Sequence, residues 1–178
     1  MKKELCIGLA CMVMISMGCM KNEEAIGLAV VKLRPTLGHV TRGIVTFEEE
    51  AAGVLVKAEI KGLKPKSQHG WHIHQYGDIR DPKGKSAGGH YNPEGHPHGL
   101  PPNEKRHAGS FGNLEADASG NATIEFYDTS ITVSGKKNPI IGRSLVIHAK
   151  KDTGEQPAGN AGARVAVGVI GIANPSVN

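Results

Sequence analysis

Apolar and polar residues alternate with a period of two along much of the chain. Val54, Val56, Ala58 and Ile60 fall on one face of a short segment, and Lys57 and Glu59 fall on the other. That is the pattern of a half-buried strand. Ala122, Ile124 and Phe126 alternate with Thr123, Glu125 and Tyr127 in the same way. Ile26 to Leu33, Val40 to Glu48 and Gln68 to Tyr76 read as further strands, with shorter ones at Asn113 to Asp117 and Ser144 to His148. Arg164 to Ile172 reads as the last. Ala51-Ala52-Gly53 and Asp117-Ala118-Ser119-Gly120-Asn121 carry turn chemistry between them. About eight short strands in one domain predict an all-β fold, an antiparallel sandwich or barrel.

Two stretches break the alternation. Gly77 to about Gly109 is dense in Gly, Pro, Asp and Asn, and Asp152 to Gly162 is a second loop. A connection as long as the first is either disordered or functional. It carries His90, His96, His98 and His107, which favours function.

The amino terminus has a different pattern. Lys2 and Lys3 precede an apolar run from Leu5 to Met17, and Lys21, Asn22, Glu23 and Glu24 end it. This is the layout of a signal peptide, shorter than a spanning helix. Small residues before Cys19 resemble a bacterial lipoprotein processing site. The expected organisation is therefore a signal peptide at 1–19 with Cys19 as the lipidated residue, a polar tether at 20–25 and one domain at 26–178. The protein is expected to be exported, periplasmic or at the cell surface, and lipid-anchored. Ordinary cleavage nearby would leave it soluble. All three cysteines (Cys6, Cys11, Cys19) lie in this segment, so the domain holds no internal disulfide.

Composition agrees with the strand reading. The 178 residues include 24 glycines and 10 prolines but only 4% aromatics, which disfavours long amphipathic helices. The net charge of +4 favours small anionic partners. No dense Lys/Arg tract is interleaved with aromatics, so no nucleic-acid partner is expected. The sequence leaves the oligomeric state open, a homodimer included.

The nine histidines are the candidate chemistry. His72 and His74 are alternate residues of a strand, so their rings share a face and can reach one ion. His90, His98 and His107 come from the long loop, and His148 ends a separate strand. Imidazole suits copper and zinc. The scarcity of carboxylates in the long loop argues against calcium or magnesium. His69 reads as structural, His39 and His96 as solvated, and Trp71 and Tyr91 as packing residues.

Several segments resemble the copper–zinc superoxide dismutase family. Gly70-Trp71-His72-Ile73-His74-Gln75-Tyr76-Gly77-Asp78 is similar to its copper-ligand strand. Ser86-Ala87-Gly88-Gly89-His90-Tyr91-Asn92-Pro93 resembles the segment with its bridging histidine. Pro97-His98-Gly99 and Arg106-His107-Ala108-Gly109 resemble zinc-loop segments, and Val146-Ile147-His148 resembles the strand of the last copper ligand. The run from Gly159 to Gly171 resembles the family's carboxy-terminal signature. The resemblance implies an eight-stranded Greek-key barrel with two long functional loops. It implies copper on His72, His74, His90 and His148, and zinc on His90, His98 and His107, with His90 shared. Asp152 would link a copper ligand to a zinc ligand, and Arg164 would stand beside the open copper face. The implied reaction is dismutation of superoxide, with Arg164 and His90 as the catalytic residues.

The resemblance fails at specific positions. Ser110 stands where the family carries its fourth zinc ligand, an aspartate, and Glu94 and His96 are alternative donors in the same loop. An empty zinc site in a copper-only enzyme is a further reading. The two disulfide cysteines are missing, with Gly84 or Lys85 near the first position and Val167 at the second. Two rivals remain beside the enzyme. One is an exported copper-binding or copper-delivery protein without turnover, and the other is a zinc-only structural module.

Overall fold

The alternating segments become strands whose apolar positions face one interior. The computed structural model describes residues 26–177. The signal segment, Cys19 and the tether lie outside the described residues. The strands are β1 (Leu28–Pro35), β2 (Arg42–Glu50), β3 (Gly53–Lys61), β4 (Gln68–His74), β5 (Ser110–Glu115), β6 (Ala122–Asp128), β7 (Ser144–His148), β8 (Arg164–Val169) and β9 (Gly171–Ile172). A three-residue 3-10 turn, Lys85–Ala87, is the only helical element among the described residues.

The sheet runs β5-β4-β7-β8-β1-β2-β3-β6, with β9 on β1, and its named strands pair antiparallel. The end strands β5 and β6 approach one another, which nearly closes the sheet into a barrel. Closure of this kind removes exposed sheet edges. β7 lies between β4 and β8, and β8 pairs with β1, so long connections cross over rather than follow hairpins.

Two strands differ from the sequence expectation. The segment 164–172 divides because Ile170 leaves the β8 ladder. Its N–H donates to Arg143 O at 2.8 Å, and its carbonyl accepts from Gly142 N–H at 2.9 Å. Gly171 and Ile172 then pair with β1. β5 begins at Ser110 rather than near Asn113, because pairing with β4 recruits residues that the glycines on either side disguise.

β4 decides where the site lies. Trp71 and Ile73 point into the core, where the Trp71 ring lies 5.1 Å from Phe111 and 6.0 Å from Phe126. His72 and His74 fall on the opposite face by the period of two. They are also fully buried, so this face is covered by loops rather than by water. Tyr91 is buried in the core, with Arg143 over its ring at 3.5 Å.

The long loop is stitched to β4. Ile73 N donates to Gly109 O at 2.9 Å, Tyr91 N donates to Ile73 O at 2.8 Å, and Gly109 N donates to Tyr91 O at 3.0 Å. A small apolar cluster of Ala87, Val146 and Val167 with Ile79 anchors its first half. Gly84 lies here, and a Cβ on it would stand 3.7 Å from Val167 Cβ. Of the two candidates, Gly84 is thus the residue that faces Val167.

Candidate metal centre

Six histidines from two strands and one loop meet on the outer face of β4. His72, His74, His90 and His148 each offer a ring nitrogen, with all four atoms within 4.8 Å of one another. His90, His98 and His107 form a second such group, and His90 belongs to both. His148 arrives on β7, where a register shift after Ile147 pairs it with Arg164. His90 bridges to His74 in the backbone.

The outer partners of these rings assign their tautomers. A neutral imidazole carries one N–H and one bare nitrogen. His74 Nδ1 donates to Gly88 O at 2.9 Å, and His148 Nδ1 donates to Gly162 O at 3.1 Å. Their bare Nε2 atoms then face each other at 3.3 Å. Two lone pairs that close repel unless a cation lies between or beside them. His72 Nε2 donates to Asp152 Oδ2 at 2.7 Å, and His98 Nε2 donates to Asp152 Oδ1 at 2.9 Å. The other nitrogens of these two rings, His72 Nδ1 and His98 Nδ1, are buried without any partner. Buried polar atoms are normally satisfied. Bare nitrogens of His72, His74 and His148 in the first group and of His98 in the second fit divalent cations held by imidazole. The trio His72, His98 and Asp152 also lies within ligand distance. Its atoms are those already engaged in the hydrogen bonds just described, so it acts as the orienting link between the two groups.

Protonation is suppressed at His72, His74, His90, His107 and His148. Burial lowers His72, despite the opposing pull of Asp152, and lowers His74 strongly. Burial and the neighbouring rings lower His90 far below the ordinary imidazole range. His148 falls to about 3 and His107 to about 4, again chiefly by burial. Burial alone would raise Asp152, but hydrogen bonds from His72 and His98 outweigh it and hold the carboxyl well below its usual range. A set of neutral imidazoles and one carboxylate is the state that accepts a metal.

Asp152 is itself fixed. Its N–H donates to Asn113 Oδ1 at 2.7 Å, and Asn113 Nδ2 donates back to Asp152 O at 3.0 Å. Gly159, at φ 72°, leaves room beside the carboxylate, since a Cβ there would overlap Asp152 Oδ1. Gln156 grips His98 at both ends of its peptide: His98 N donates to Gln156 Oε1 at 2.9 Å, and Gln156 Nε2 donates to His98 O at 2.8 Å. Neither Asn113 nor Gln156 carries a sequence signal for this role, because each acts on backbone brought near by the fold. His69 is structural: its Nδ1 donates to His148 O at 2.8 Å, and its Nε2 lies 2.8 Å from Ser67 Oγ.

Ser110 opens β5 opposite His72 and follows a turn in which its N–H donates to His107 O at 3.0 Å. It is fully buried, and its hydroxyl has no hydrogen-bond partner. Arg106 braces the turn, donating to Ser110 O at 2.9 Å and to Asp128 at 2.7 Å. Glu94 and His96 lie outside both histidine groups. Glu94 accepts from Asn138 at 3.3 Å, and His96 Nδ1 donates to Arg106 O at 3.3 Å. His39 is exposed.

A cavity of about 280 Å³ reaches the cluster from outside, lined by His74, His90, His148 and Arg164 among others. The Arg164 guanidinium donates to the carbonyls of Gly84 and Gly88, which fixes its charge at the cavity wall.

Residues 41–170 match the family described as copper/zinc superoxide dismutase (SODC). A superoxide dismutase (Cu-Zn) of Schizosaccharomyces pombe is 47% identical over 140 residues, 74% of this chain and 90% of that protein. One of Paramecium bursaria Chlorella virus 1 is 43% identical over 139 residues, 74% of this chain and 73% of that protein. An extracellular superoxide dismutase (Cu-Zn) of Brugia pahangi is 40% identical over 154 residues, 81% of this chain and 75% of that protein.

Proposed function

The chain belongs to the copper/zinc superoxide dismutase family, and from that premise we propose how its own residues carry out the dismutation of superoxide. Copper is held by His72, His74, His90 and His148, and zinc by His90, His98 and His107. The observation that carries this reading is the set of bare nitrogens: His72 Nδ1 and His98 Nδ1 without partners, and the 3.3 Å approach of His74 Nε2 to His148 Nε2. Bound copper supplies a one-electron couple, by which one superoxide is oxidised to dioxygen and a second, with two protons, is reduced to hydrogen peroxide.

The protein's part is orientation, attraction and proton handling. Asp152 holds the outward tautomer of His72 and His98 together, so both groups keep their geometry. Arg164 draws superoxide into the cavity and orients it, because a guanidinium stays charged and presents a planar fork of donors. His90 Nδ1 lies 3.3 Å from His107 Nδ1. That leaves Nε2 for the copper group, and Nε2 is the atom at which a proton is taken up and passed to the reduced substrate. Ser110 occupies the fourth zinc position. A neutral hydroxyl is a weaker donor than a carboxylate or imidazole, so zinc is held less firmly there.

Export agrees with the relative named extracellular. The finer location, a periplasmic or surface protein anchored through Cys19, rests on the amino-terminal segment, as does the division at 19 and 25. Mass spectrometry of the membrane fraction would detect the lipid on Cys19.

The decisive measurement is metal content of the purified protein with dismutation assayed before and after copper loading. Activity should rise with copper, fall about tenfold in Arg164→Ala and vanish in His148→Ala. Copper binding without turnover would overturn the enzyme reading in favour of a copper carrier.

A further inference from the structure

Backbone carbonyls, not a carboxylate, hold the Arg164 guanidinium. One arm donates to Gly84 O and the other to Gly88 O. Gly88 O also accepts from His74 Nδ1 at 2.9 Å, so a single carbonyl registers the cation to a histidine of the copper group. The 3-10 turn Lys85–Ala87 sets the distance between the two carbonyls. Within it Ala87 N donates to Gly84 O at 3.3 Å, and Gly88 N donates to Lys85 O at 3.2 Å. Whatever fixes this turn therefore fixes Arg164.

The turn has no cap of its own. It starts from Gly84, which has φ 73° and no side chain to accept an N–H. Asp81 supplies the acceptor. Its Oδ1 accepts from Lys85 N at 2.8 Å and from Lys83 N at 3.0 Å, and its carbonyl accepts from Gly84 N at 2.8 Å. Three successive peptide N–H groups, centred on Gly84, thus end on one residue. Asp81 is anchored in turn: its N–H donates to Ser86 Oγ at 3.1 Å, and Ser86 Oγ donates to Asp78 O at 2.9 Å. With no cysteine beyond Cys19, this loop is held by such bonds rather than by a disulfide. Asp81 forms no ion pair with Arg164 within 4.0 Å. Its hold on the guanidinium runs through the loop backbone.

We propose that Asp81 is the positioning residue of Arg164. By collecting the amides of Lys83, Gly84 and Lys85, it fixes the carbonyl pair that aims the guanidinium into the metal cavity. The inference rests on the dismutase reading above, which gives Arg164 its task. Asp81 acts through the hydrogen bonds it accepts and not through its charge, so an amide oxygen at the same place suffices.

The test compares Asp81→Asn, which keeps an Oδ1 acceptor, with Asp81→Ala, which removes it. In the copper-loaded full-length protein, kcat/KM for superoxide should fall about fivefold in Asp81→Ala, the weight of a lost capping acceptor. It should stay within about twofold of the unmodified protein in Asp81→Asn. Azide serves as a second small anion. Its affinity for the bound copper(II), read from the absorption of the copper–azide complex, should fall in Asp81→Ala and in Arg164→Ala but not in Asp81→Asn. Copper retention against a chelator should be the same in all of them. Asp81→Ala/Arg164→Ala should be no slower than Arg164→Ala alone, because a residue that works only through Arg164 then has nothing to position. Equal behaviour of the Asn and Ala variants would overturn the proposal, as would losses that multiply in the double variant or copper lost from Asp81→Ala. An unmodified copper-loaded protein without activity would remove the dismutase reading. The azide measurement needs no turnover and would still decide whether Asp81 positions Arg164.

Discussion

His72 and His98 are joined through a single buried carboxylate, His72 donating to Asp152 Oδ2 at 2.7 Å and His98 to Asp152 Oδ1 at 2.9 Å. The two rings belong to different histidine groups, so one side chain sets the orientation of both. Asp152→Ala should free both rings and weaken copper and zinc together, each by about 10- to 100-fold. Chelator competition on the loaded protein reads this directly. A loss confined to one metal would show that the carboxylate does not couple the groups.

Ser110→Asp should tighten zinc. The buried hydroxyl is unpartnered and lies three residues beyond His107, so a carboxylate there adds a charged oxygen donor without breaking an existing bond. Zinc affinity by competitive titration should rise about tenfold or more, with copper affinity nearly unchanged. No gain in zinc affinity would mean that another group completes the site.

Acid should destabilise the metal-free protein in a defined window. His148 and His107 sit at about 3 and about 4, below their ordinary value of 6.5. Below about pH 6.5 the unfolded chain takes up protons that the folded chain refuses. Stability is therefore fully present above 6.5, falls as pH drops, and its loss is complete once the folded-state values are passed. The urea midpoint of the apoprotein should decline from about pH 6.5 to about pH 3. In Asp152→Ala the decline should remain, because burial is its main cause and the carboxylate opposes it. A flat midpoint across that window would contradict the assignment of neutral, buried rings.

A disulfide should be accepted between β8 and the long loop. A Cβ on Gly84 would lie 3.7 Å from Val167 Cβ, within the usual span of a disulfide. Gly84 has φ 73°, which costs a side chain about 1–2 kcal/mol. Closing a loop of this length contributes about 4 kcal/mol. Gly84→Cys/Val167→Cys should thus stabilise the oxidised protein by about 2–3 kcal/mol, measured as a shift in denaturation midpoint that a reductant abolishes. Failure to oxidise in air or with mild oxidant would mean that Arg164 or the Ala87–Val146–Val167 cluster holds the loop out of reach.

The sequence by itself determined what depends on neighbours a few residues apart. Alternation in 54–60 and 122–127 marked the strands, because side-chain direction in extended backbone repeats every two residues. The same rule placed His72 and His74 on one face. Glycine and aspartate marked the turn at 117–121, where Asp117 Oδ1 accepts from Ser119 N at 2.7 Å and Asn121 N at 2.9 Å. Tertiary structure alone decided everything set by distant pairing. The start of β5 at Ser110 follows from pairing with β4, and the break at Ile170 from hydrogen bonds to the turn at Gly142 and Arg143. The tautomers of His74 and His148 depend on carbonyls of Gly88 and Gly162, which no local pattern brings near. Gln156 and Asn113 matter only because folding delivers His98 and Asp152 to them. Local sterics fix which way a side chain points, but only closure of the barrel, with its long-range ladders, fixes what it meets there.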